Sequence, residues 1–235
     1  MDWFNRTERL VGKEAINKLS KSSVCVLGLG GVGSAATEAL ARAGVGKLII
    51  LDADDIDITN INRQIIATHS VVGKSKCEIT KNRILDINPK CEVICITEFL
   101  DGNNSNIVLS HHPDYIIDCI DTVTAKLDII QKTNEFGIKI ISSMGTGNRL
   151  HPELFQIGDI SDTAGCGCGL SKVMRRELRK RGIEKLRVVY SAEAPIKSAV
   201  LENGRHIPAS ISFCPPVAGY LLASDVINDI LSVEK

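Results

Sequence analysis

The chain has 235 residues, which is the size of one domain and long enough to bury a substantial core. Hydrophobic residues make up 44% of it and charged residues 24%, a composition that argues against extensive disorder. With 28 basic and 28 acidic side chains, the formal net charge is zero. A polyanion such as nucleic acid would therefore have to bind a local basic patch.

The N-terminus and the apolar runs predict a cytoplasmic protein. Polar residues follow Met1, with no basic segment leading into an apolar run, so no secretory signal is predicted. The other apolar stretches are shorter than the roughly 20 residues that a membrane helix needs. Eight cysteines are present, and Cys25, Cys95 and Cys119 lie in strand-like apolar runs. We expect reduced, buried thiols there.

Strand-like and helix-like segments alternate from residue 23 onward, which predicts an α/β fold with a mostly parallel sheet and helices on both faces. Two β-α units come first, and Pro89 ends the second helix. The predicted elements are strand Ser23–Leu27, helix Ala35–Ala43, strand Lys47–Leu51, helix Lys74–Asn88, strands Val93–Thr97 and Tyr115–Asp118, helix Thr124–Phe136 and strand Lys139–Ser142.

After residue 144 the sequence changes character. Gly, Cys, Pro and basic residues are dense over 145–216, with one helical segment, Leu170–Arg181, and we interpret this stretch as facing the substrate. Val217–Leu231 has apolar residues at helical spacing and predicts a helix that closes on the sheet. We expect a single domain across the whole chain, with a nucleotide-binding core over 1–144 and a C-terminal substrate-facing extension over 145–235.

A glycine-rich loop follows the first predicted strand. Gly28, Gly30 and Gly33 satisfy G-x-G-x-x-G between a strand and a helix, and Asp52 follows at the end of the next strand. Glycine permits a tight turn, so a phosphate can approach the backbone N–H groups at the start of the helix. Asp52 can accept hydrogen bonds from ribose hydroxyls. These features alone fit NAD as well as ATP.

The next segment favours ATP. Residues 52–64 read D-A-D-D-I-D-I-T-N-I-N-R-Q and residues 72–76 read V-G-K-S-K. They resemble the ATP site of the ubiquitin-activating and ThiF/MoeB-type adenylating family, which has a Rossmann-like fold. Adenylation needs cations on the β- and γ-phosphates as pyrophosphate leaves, a role that a dehydrogenase lacks. Arg63 and Lys76 would be those cations, unless both are solvated surface residues.

The resemblance implies roles for further residues. Asp52 would hold the ribose, Asp121 would position Mg²⁺, and Lys76 would pair with the leaving phosphates. Arg6 or Arg9 would reach the ATP site of the partner in a homodimer. The implied nucleotide-binding set is Gly28, Gly30, Gly31, Gly33, Asp52, Asp54, Asn60 and Gln64, and the implied catalytic set is Arg63, Lys76, Asp121 and Arg6 or Arg9.

Further blocks resemble one branch of this family, the tRNA threonylcarbamoyladenosine dehydratases. The resemblance implies ATP-dependent conversion of threonylcarbamoyladenosine in tRNA to its cyclic form. Lys126 stands where the activators of sulfur carriers more often have Arg, and the C-x-x-C pairs with which they often hold zinc are lacking. The blocks that carry the resemblance are 118–126, 141–145, 155–160, 190–195 and 210–215.

Other functions stay open from the sequence. The chain could adenylate the C-terminus of a sulfur-carrier or ubiquitin-like protein, with a thioester or persulfide on Cys166 or Cys168. It could also be an NAD-dependent oxidoreductase or a silent nucleotide-binding scaffold. A cysteine desulfurase or sulfur acceptor is a candidate partner, and the role of the two cysteines around Gly167 is not assigned.

A basic segment agrees with an RNA substrate. Positive side chains concentrate on one predicted helix, opposed by Glu177 and Glu184. Phosphate contacts need such a patch in a protein of zero net charge, although a solvated helix face is the simpler explanation of a charge run. The predicted tRNA-binding residues are Lys172, Arg175, Arg176, Arg179, Lys180 and Arg181.

Overall fold

The structure is a computed structural model that describes residues 3–197, 201–202, 205–206 and 208–231. Strands form a seven-stranded sheet and a small hairpin. The sheet strands are β1 Ser23–Leu27, β2 Lys47–Leu51, β3 Glu92–Ile96, β4 Tyr115–Asp118, β5 Lys139–Ser143, β6 Phe155–Asp159 and β7 Arg187–Ser191, and the hairpin strands are β8 Leu201–Glu202 and β9 Arg205–His206. The helices are α1 Asn5–Val11, α2 Lys13–Lys21, α3 Gly33–Ala43, α4 Lys76–Ile87, α5 Asn106–Leu109, α6 Val123–Phe136, α7 Gly169–Lys180 and α8 Cys214–Leu231.

The strand order in the sheet is β3-β2-β1-β4-β5-β7-β6. All neighbouring pairs are parallel except β6 with β7. The predicted α/β, Rossmann-like fold with a mostly parallel sheet is therefore confirmed. Because the order reverses between β1 and β4, a crevice opens at the carboxyl ends of these strands, where doubly wound folds bind their ligands.

Helices on both faces bury the central strands. Along β1, Val24 and Val26 point into one core cluster with α3 and α8, while Cys25 and Leu27 point into the other with α6 and α7. A strand covered on both faces is apolar at every position, which is why β1 reads as a continuous apolar run. Helix α8 lies so close to the start of α3 that a Cβ on Gly219 would be 2.2 Å from the carbonyl oxygen of Val32.

The segment over 145–216 contributes more to the sheet than its composition indicates. It supplies β6 and β7, which were not predicted, besides α7, whose predicted bounds differ by one residue at each end. Helices α1 and α2 were not predicted either. No helix within the described ranges is long and apolar enough to cross a membrane.

Candidate active site

A cavity of about 360 Å³ lies at the carboxyl ends of β1, β2 and β4, and we call it the nucleotide cavity. Its walls come from the glycine loop, the segment after β2, the start of α4 and the loop after β4. Residues that are distant in the sequence meet there because parallel strands place their carboxyl ends at one edge. The predicted residues that line it are Gly28, Gly30, Gly31, Asp52, Asp54, Asn60, Arg63, Gln64, Lys76 and Asp121.

The glycine loop is a tight turn that side chains would disrupt. Gly28 has φ +84°, and a Cβ there would be 3.1 Å from the carbonyl oxygen of Cys119. A Cβ on Gly33 would be 1.7 Å from the carbonyl oxygen of Gly28. Gly33 does not line the cavity but allows α3 to begin against the loop. The first and third glycines of the motif thus shape the turn.

Asp52 joins the loop to the segment after β2. Its Oδ2 accepts the N–H of Leu29 at 2.6 Å, and its Oδ1 accepts the N–H of Asp54 at 2.9 Å. Lys76 is only 5% exposed, with its Nζ 2.7 Å from Asp54 Oδ2 and 3.6 Å from Asp52 Oδ1. The alternative that Lys76 is a solvated surface residue is therefore wrong.

A one-turn 3-10 helix, Ile58–Asn60, orients the next side chains. Asn60 Oδ1 accepts the N–H of Asp57 at 3.1 Å, which turns the chain so that Arg63 and Gln64 face the cavity. The half-buried Arg63 donates through Nη1 to the carbonyl oxygen of Thr59 at 3.0 Å. Gln64 is buried, and its Oε1 has no hydrogen-bond partner among the described residues. An orphan acceptor on a cavity wall suits a polar ligand.

The two aspartates after β4 differ in availability. Asp118 is fully buried, and its Oδ2 accepts Lys126 Nζ at 2.8 Å and Ser142 Oγ at 2.7 Å. Asp121 is exposed on the cavity wall. Within the part of the chain that the structure describes, no three His, Cys, Asp or Glu side chains form a metal cluster. A single carboxylate matches Mg²⁺, which keeps waters and takes other ligands from substrate phosphates.

A second cavity, of about 350 Å³, adjoins the first, and we call it the acceptor cavity. The two share Gly31, Arg63, Cys119, Ile120 and Asp121. The remaining walls come mainly from the segment after residue 142, including 143–147 and 208–210. Sequence reasoning placed this segment near the substrate without identifying the wall residues. The polar and glycine residues that directly follow β5, at the same sheet edge as Asp52 and Asp121, were the signal that was missed.

Two predicted groups lie outside both cavities of this chain. Arg6 and Arg9 are exposed on α1. On α7, Arg175 donates to the carbonyl oxygen of Thr163 at 2.8 Å. Glu177 pairs with its basic neighbours. Their contacts, of which the hydrogen bond from Lys180 has the largest effect, lower the pKa of Glu177 to about 2. The residues paired with Glu177 are Arg176, Lys180 and Arg181, and these three are exposed, as are Lys172 and Arg179.

The two cysteines around Gly167 have different environments. Cys166 is buried, whereas Cys168 is half-buried at the start of α7, beside Gly145 of the acceptor cavity. Burial opposes ionisation of Cys168, but polar contacts with Ser171 and the N–H of Gly145, together with the charge of Arg149, lower its pKa. A thiolate there is a competent nucleophile.

Comparison with known proteins identifies relatives over the whole chain. The model of the ThiF family matches residues 4–234. The chain is 42% identical to the tRNA threonylcarbamoyladenosine dehydratase of Bacillus subtilis (strain 168), over 97% of this chain and 94% of that protein. It is 38% identical to the enzyme of that name from Escherichia coli (strain K12), over 68% of this chain and 60% of that protein.

The comparison with solved structures finds proteins of the same kind as the comparison of sequences. The E. coli dehydratase, TcdA, in complex with ATP has a TM-score of 0.88 and 30% identity, with 97% of this chain and 93% of that chain covered. Its complex with AMP has the same TM-score and identity, with 97% and 94% covered. E. coli MccB with ATP, at 21% identity and a TM-score of 0.68, shares the fold. It covers all of this chain and 65% of that one.

Proposed function

The chain belongs to the ThiF family, and from that premise we propose that it is an ATP-dependent tRNA threonylcarbamoyladenosine dehydratase. It adenylates the threonyl carboxylate of N6-threonylcarbamoyladenosine in tRNA and drives its cyclising dehydration, with release of AMP and pyrophosphate. The observation that carries this proposal is that a cavity lined by the residues that resemble the family's ATP site shares wall residues with a second cavity. ATP and an acceptor carboxylate thereby have adjoining sites.

ATP occupies the nucleotide cavity. The glycine loop lets phosphates approach the start of α3, and Asp52, held by Leu29 and Asp54, accepts from the ribose hydroxyls. The apolar side chains of Leu51 and Leu100 line the same cavity and suit the purine ring. The unpartnered Oε1 of Gln64 gains a polar contact in the complex.

Positive side chains receive the departing pyrophosphate. A carboxylate oxygen of the threonyl group attacks the α-phosphorus, and the bond to the β,γ-diphosphate breaks. Arg63 and Lys76 stabilise the charge that develops on the leaving group. Ion pairs with Asp54 and Asp52 hold Lys76 in place, so its ammonium group is positioned near the phosphates before the reaction begins.

We assign Asp121 as the carboxylate that holds Mg²⁺ together with phosphate oxygens. The assignment rests on its exposure on the cavity wall, in contrast to Asp118. When bound, the ion offsets the negative charge of the triphosphate. Protein ligands alone need not form a complete set, because phosphate and water supply the rest.

Cyclisation takes place in the acceptor cavity. A carbamoyl atom of the same nucleoside attacks the activated carbonyl carbon, and AMP leaves. Since nucleophile and electrophile belong to one molecule, the effective molarity is high and no enzyme thiol is needed. The segment over 143–147 and the residues 208–210 line this cavity, and with the substrate bound they would limit the access of water, which would otherwise hydrolyse the adenylate.

The tRNA contacts the basic face of α7. Lys172 and Arg179 are exposed and ready for phosphate contacts, while Arg175 positions the preceding loop through Thr163. Phosphates would compete with Glu177 for its three basic partners. The enzyme works in the cytoplasm, and a cysteine desulfurase or sulfur acceptor remains a candidate protein partner.

The functional unit in this proposal is a homodimer. In it, Arg6 or Arg9 of one subunit reaches the nucleotide cavity of the other; both side chains are exposed and neither lines the nucleotide cavity or the acceptor cavity of its own subunit. Leu10, on the same helix, is 84% exposed, which supports a covered position for α1 in the dimer.

A second candidate function is adenylation of the C-terminus of a sulfur-carrier or ubiquitin-like protein. The lowered pKa of Cys168 beside the acceptor cavity favours it, since a thiolate could accept the activated acyl group. An NAD-dependent oxidoreductase finds no comparable support.

One assay separates these functions. The protein is incubated with Mg-ATP and tRNA carrying threonylcarbamoyladenosine, and the nucleosides are analysed by mass spectrometry. We expect the modified nucleoside to become lighter by one water, with one AMP formed per conversion. An unchanged nucleoside, together with AMP release that depends on a carrier protein, would establish the second candidate instead.

A further inference from the structure

A fully buried ion pair lies behind the nucleotide cavity. Lys126 of α6 and Asp118 at the end of β4 are both 0% exposed, with Nζ 2.8 Å from Oδ2. Ser142 of β5 donates its hydroxyl to the same oxygen at 2.7 Å. The three side chains join β4, β5 and α6 just below the cavity.

Stability alone does not explain this pair. Removing two charges from water costs several kcal/mol per ion, and a well-packed apolar pair of similar volume is often as stable or more stable. The surroundings of Lys126 on α6 are apolar, since Ala125, Leu127, Ile129 and Ile130 are all buried. A methionine at this position would suit such a core, so packing does not explain why the side chain carries a charge.

The pair controls the loop that carries Asp121. Asp118 Oδ1 accepts the N–H of Ile120 at 3.3 Å, and Lys126 Nζ is 3.5 Å from the carbonyl oxygen of Asp118. The next carbonyl, that of Cys119, packs against Gly28 of the glycine loop. The conformation of 119–122 is thus set from below by buried charges and from above by the phosphate-binding turn.

The same contacts give Asp118 and Asp121 different roles. Both oxygens of Asp118 accept hydrogen bonds inside the protein, and the side chain lines neither cavity. Asp121 follows three residues later and lines both. Without the ammonium, Asp118 would be a buried, uncompensated carboxylate, and the loop would rearrange to hydrate it.

We propose that Lys126 is a positioning residue of the ATP site: through its contacts with the carboxylate and the carbonyl oxygen of Asp118 it fixes the loop over 119–122 and presents Asp121 to Mg²⁺ and the phosphates. This inference rests on the proposed function, because it assumes Mg-ATP in the nucleotide cavity. Lys126 itself touches neither cavity.

The test uses a double variant, Lys126→Met/Asp118→Asn. It removes both charges together and nearly keeps the volumes. The amide oxygen can accept the Ile120 N–H, and the amide NH2 can donate to the oxygen of the Ser142 hydroxyl, which changes from donor to acceptor. Calorimetry measures ATP binding with Mg²⁺ and with EDTA, on protein whose fold is checked by circular dichroism. We expect Mg-ATP binding to weaken by about tenfold or more, the usual effect of losing a residue that orients a metal ligand. ATP binding in EDTA should stay within about twofold.

A matched control changes a distant ion pair. Arg187 and Asp225 form a two-pronged contact at 2.8 and 2.7 Å, outside both cavities. Arg187→Met/Asp225→Asn should leave the Mg²⁺ dependence of ATP binding unchanged. An unchanged Mg²⁺ dependence in the folded Lys126→Met/Asp118→Asn variant would overturn the proposal.

If that variant does not fold, the Ser142→Ala variant tests the proposal instead. It removes one hydrogen bond to Asp118 and should weaken Mg-ATP binding about threefold, whereas wild-type Mg-ATP binding would overturn the proposal. Wild-type protein that binds no ATP at all would instead refute the proposed function. If the wild-type protein binds Mg-ATP and dehydrates the nucleoside, and the variants bind Mg-ATP as tightly as the wild type, only the positioning role is refuted.

Discussion

At the scale of single residues, the most informative side chain is Lys76. It is nearly buried, yet its ammonium faces a cavity and is held by two carboxylates on the segment after β2. Such a group is charged, ordered and directed towards the place where we position the β- and γ-phosphates. The exposed Lys74, two residues earlier, is also charged but does not line the cavity.

The first prediction compares these two lysines. Lys76→Ala should reduce turnover by about a hundredfold or more, since it removes a charge that stabilises the leaving pyrophosphate. Lys74→Ala should keep turnover within about twofold, as expected of an exposed side chain away from the site. ATP–pyrophosphate exchange measures both. Equal activity of the two variants would show that Lys76 is not part of the chemistry.

A second prediction concerns Asp121 and Arg63. Asp121→Ala and Arg63→Ala should each abolish turnover while the fold persists, because both side chains face the junction of the two cavities and neither is fully buried. Product analysis gives the activity, and thermal unfolding tests the fold. Near-normal activity in either variant would mean that the site is assigned to the wrong residues.

The third prediction concerns the thiols. The pKa of Cys168 is lowered, so a larger thiolate fraction persists below the usual thiol pKa, whereas burial raises the pKa of Cys25 and Cys119. Iodoacetamide at neutral pH should therefore label Cys168 before these two, as read by peptide mass spectrometry. Cys168→Ser should retain dehydration, because cyclisation needs no thiol. Loss of dehydration in this variant would contradict a cyclisation that needs no thiol and would assign Cys168 a role in the reaction.

At the scale of elements, the sequence was most informative where a strand is covered on both faces. The bounds of β1, β2 and β4 were predicted correctly, since each is an apolar run that ends at a polar residue of the site or at glycine. β6 and β7 were missed because they are an antiparallel pair at the sheet edge, with Gly158 in one and polar ends on the other. α1 and α2 have only seven and nine residues and bury only Leu19, so each offers few apolar residues from which to predict a helix.

The acceptor cavity could not be predicted by local patterns. Its walls combine 143–147, Leu170 and 208–210, which lie far apart in the sequence. Asn148, with φ +59°, joins two of these segments: its N–H donates to the carbonyl oxygen of Ala209, and its Oδ1 accepts the N–H of Ala209. Only the fold brings such partners together. The nucleotide cavity was easier, because its residues follow strand ends in a known motif.

The fourth prediction tests how α8 supports the glycine loop. Gly219→Ala would place a Cβ 2.2 Å from the carbonyl oxygen of Val32, so α8 must move away from the start of α3. We expect the free energy of unfolding to fall by about 1–3 kcal/mol, as overpacking usually does, with weaker ATP binding. Gly169→Ala is the control, since its Cβ would meet nothing within 4 Å. Denaturant titration measures the free energy of unfolding, and calorimetry measures ATP binding. Equal values for the two variants would contradict this prediction.

At the scale of the whole molecule, the fold places two cavities side by side at one edge of the sheet, and the proposed dimer would complete each nucleotide cavity from outside. The fifth prediction follows from this arrangement. Arg6→Ala/Arg9→Ala and Asp121→Ala should each be inactive alone. Mixed subunits should regain activity, because one of the two sites then has an intact cavity and an intact partner arginine. Failure of mixing to restore activity, with heterodimers verified by mass spectrometry, would remove the arginines from the site.

The central claim is that ATP activates a carboxylate of the substrate in the nucleotide cavity. The most direct measurement starts from tRNA whose threonylcarbamoyladenosine carries heavy oxygen at both carboxylate positions, and determines the isotope content of the AMP that is formed. The account predicts one heavy oxygen in each AMP, because the carboxylate oxygen leaves on the α-phosphorus. AMP without heavy oxygen, formed alongside dehydrated nucleoside, would contradict it.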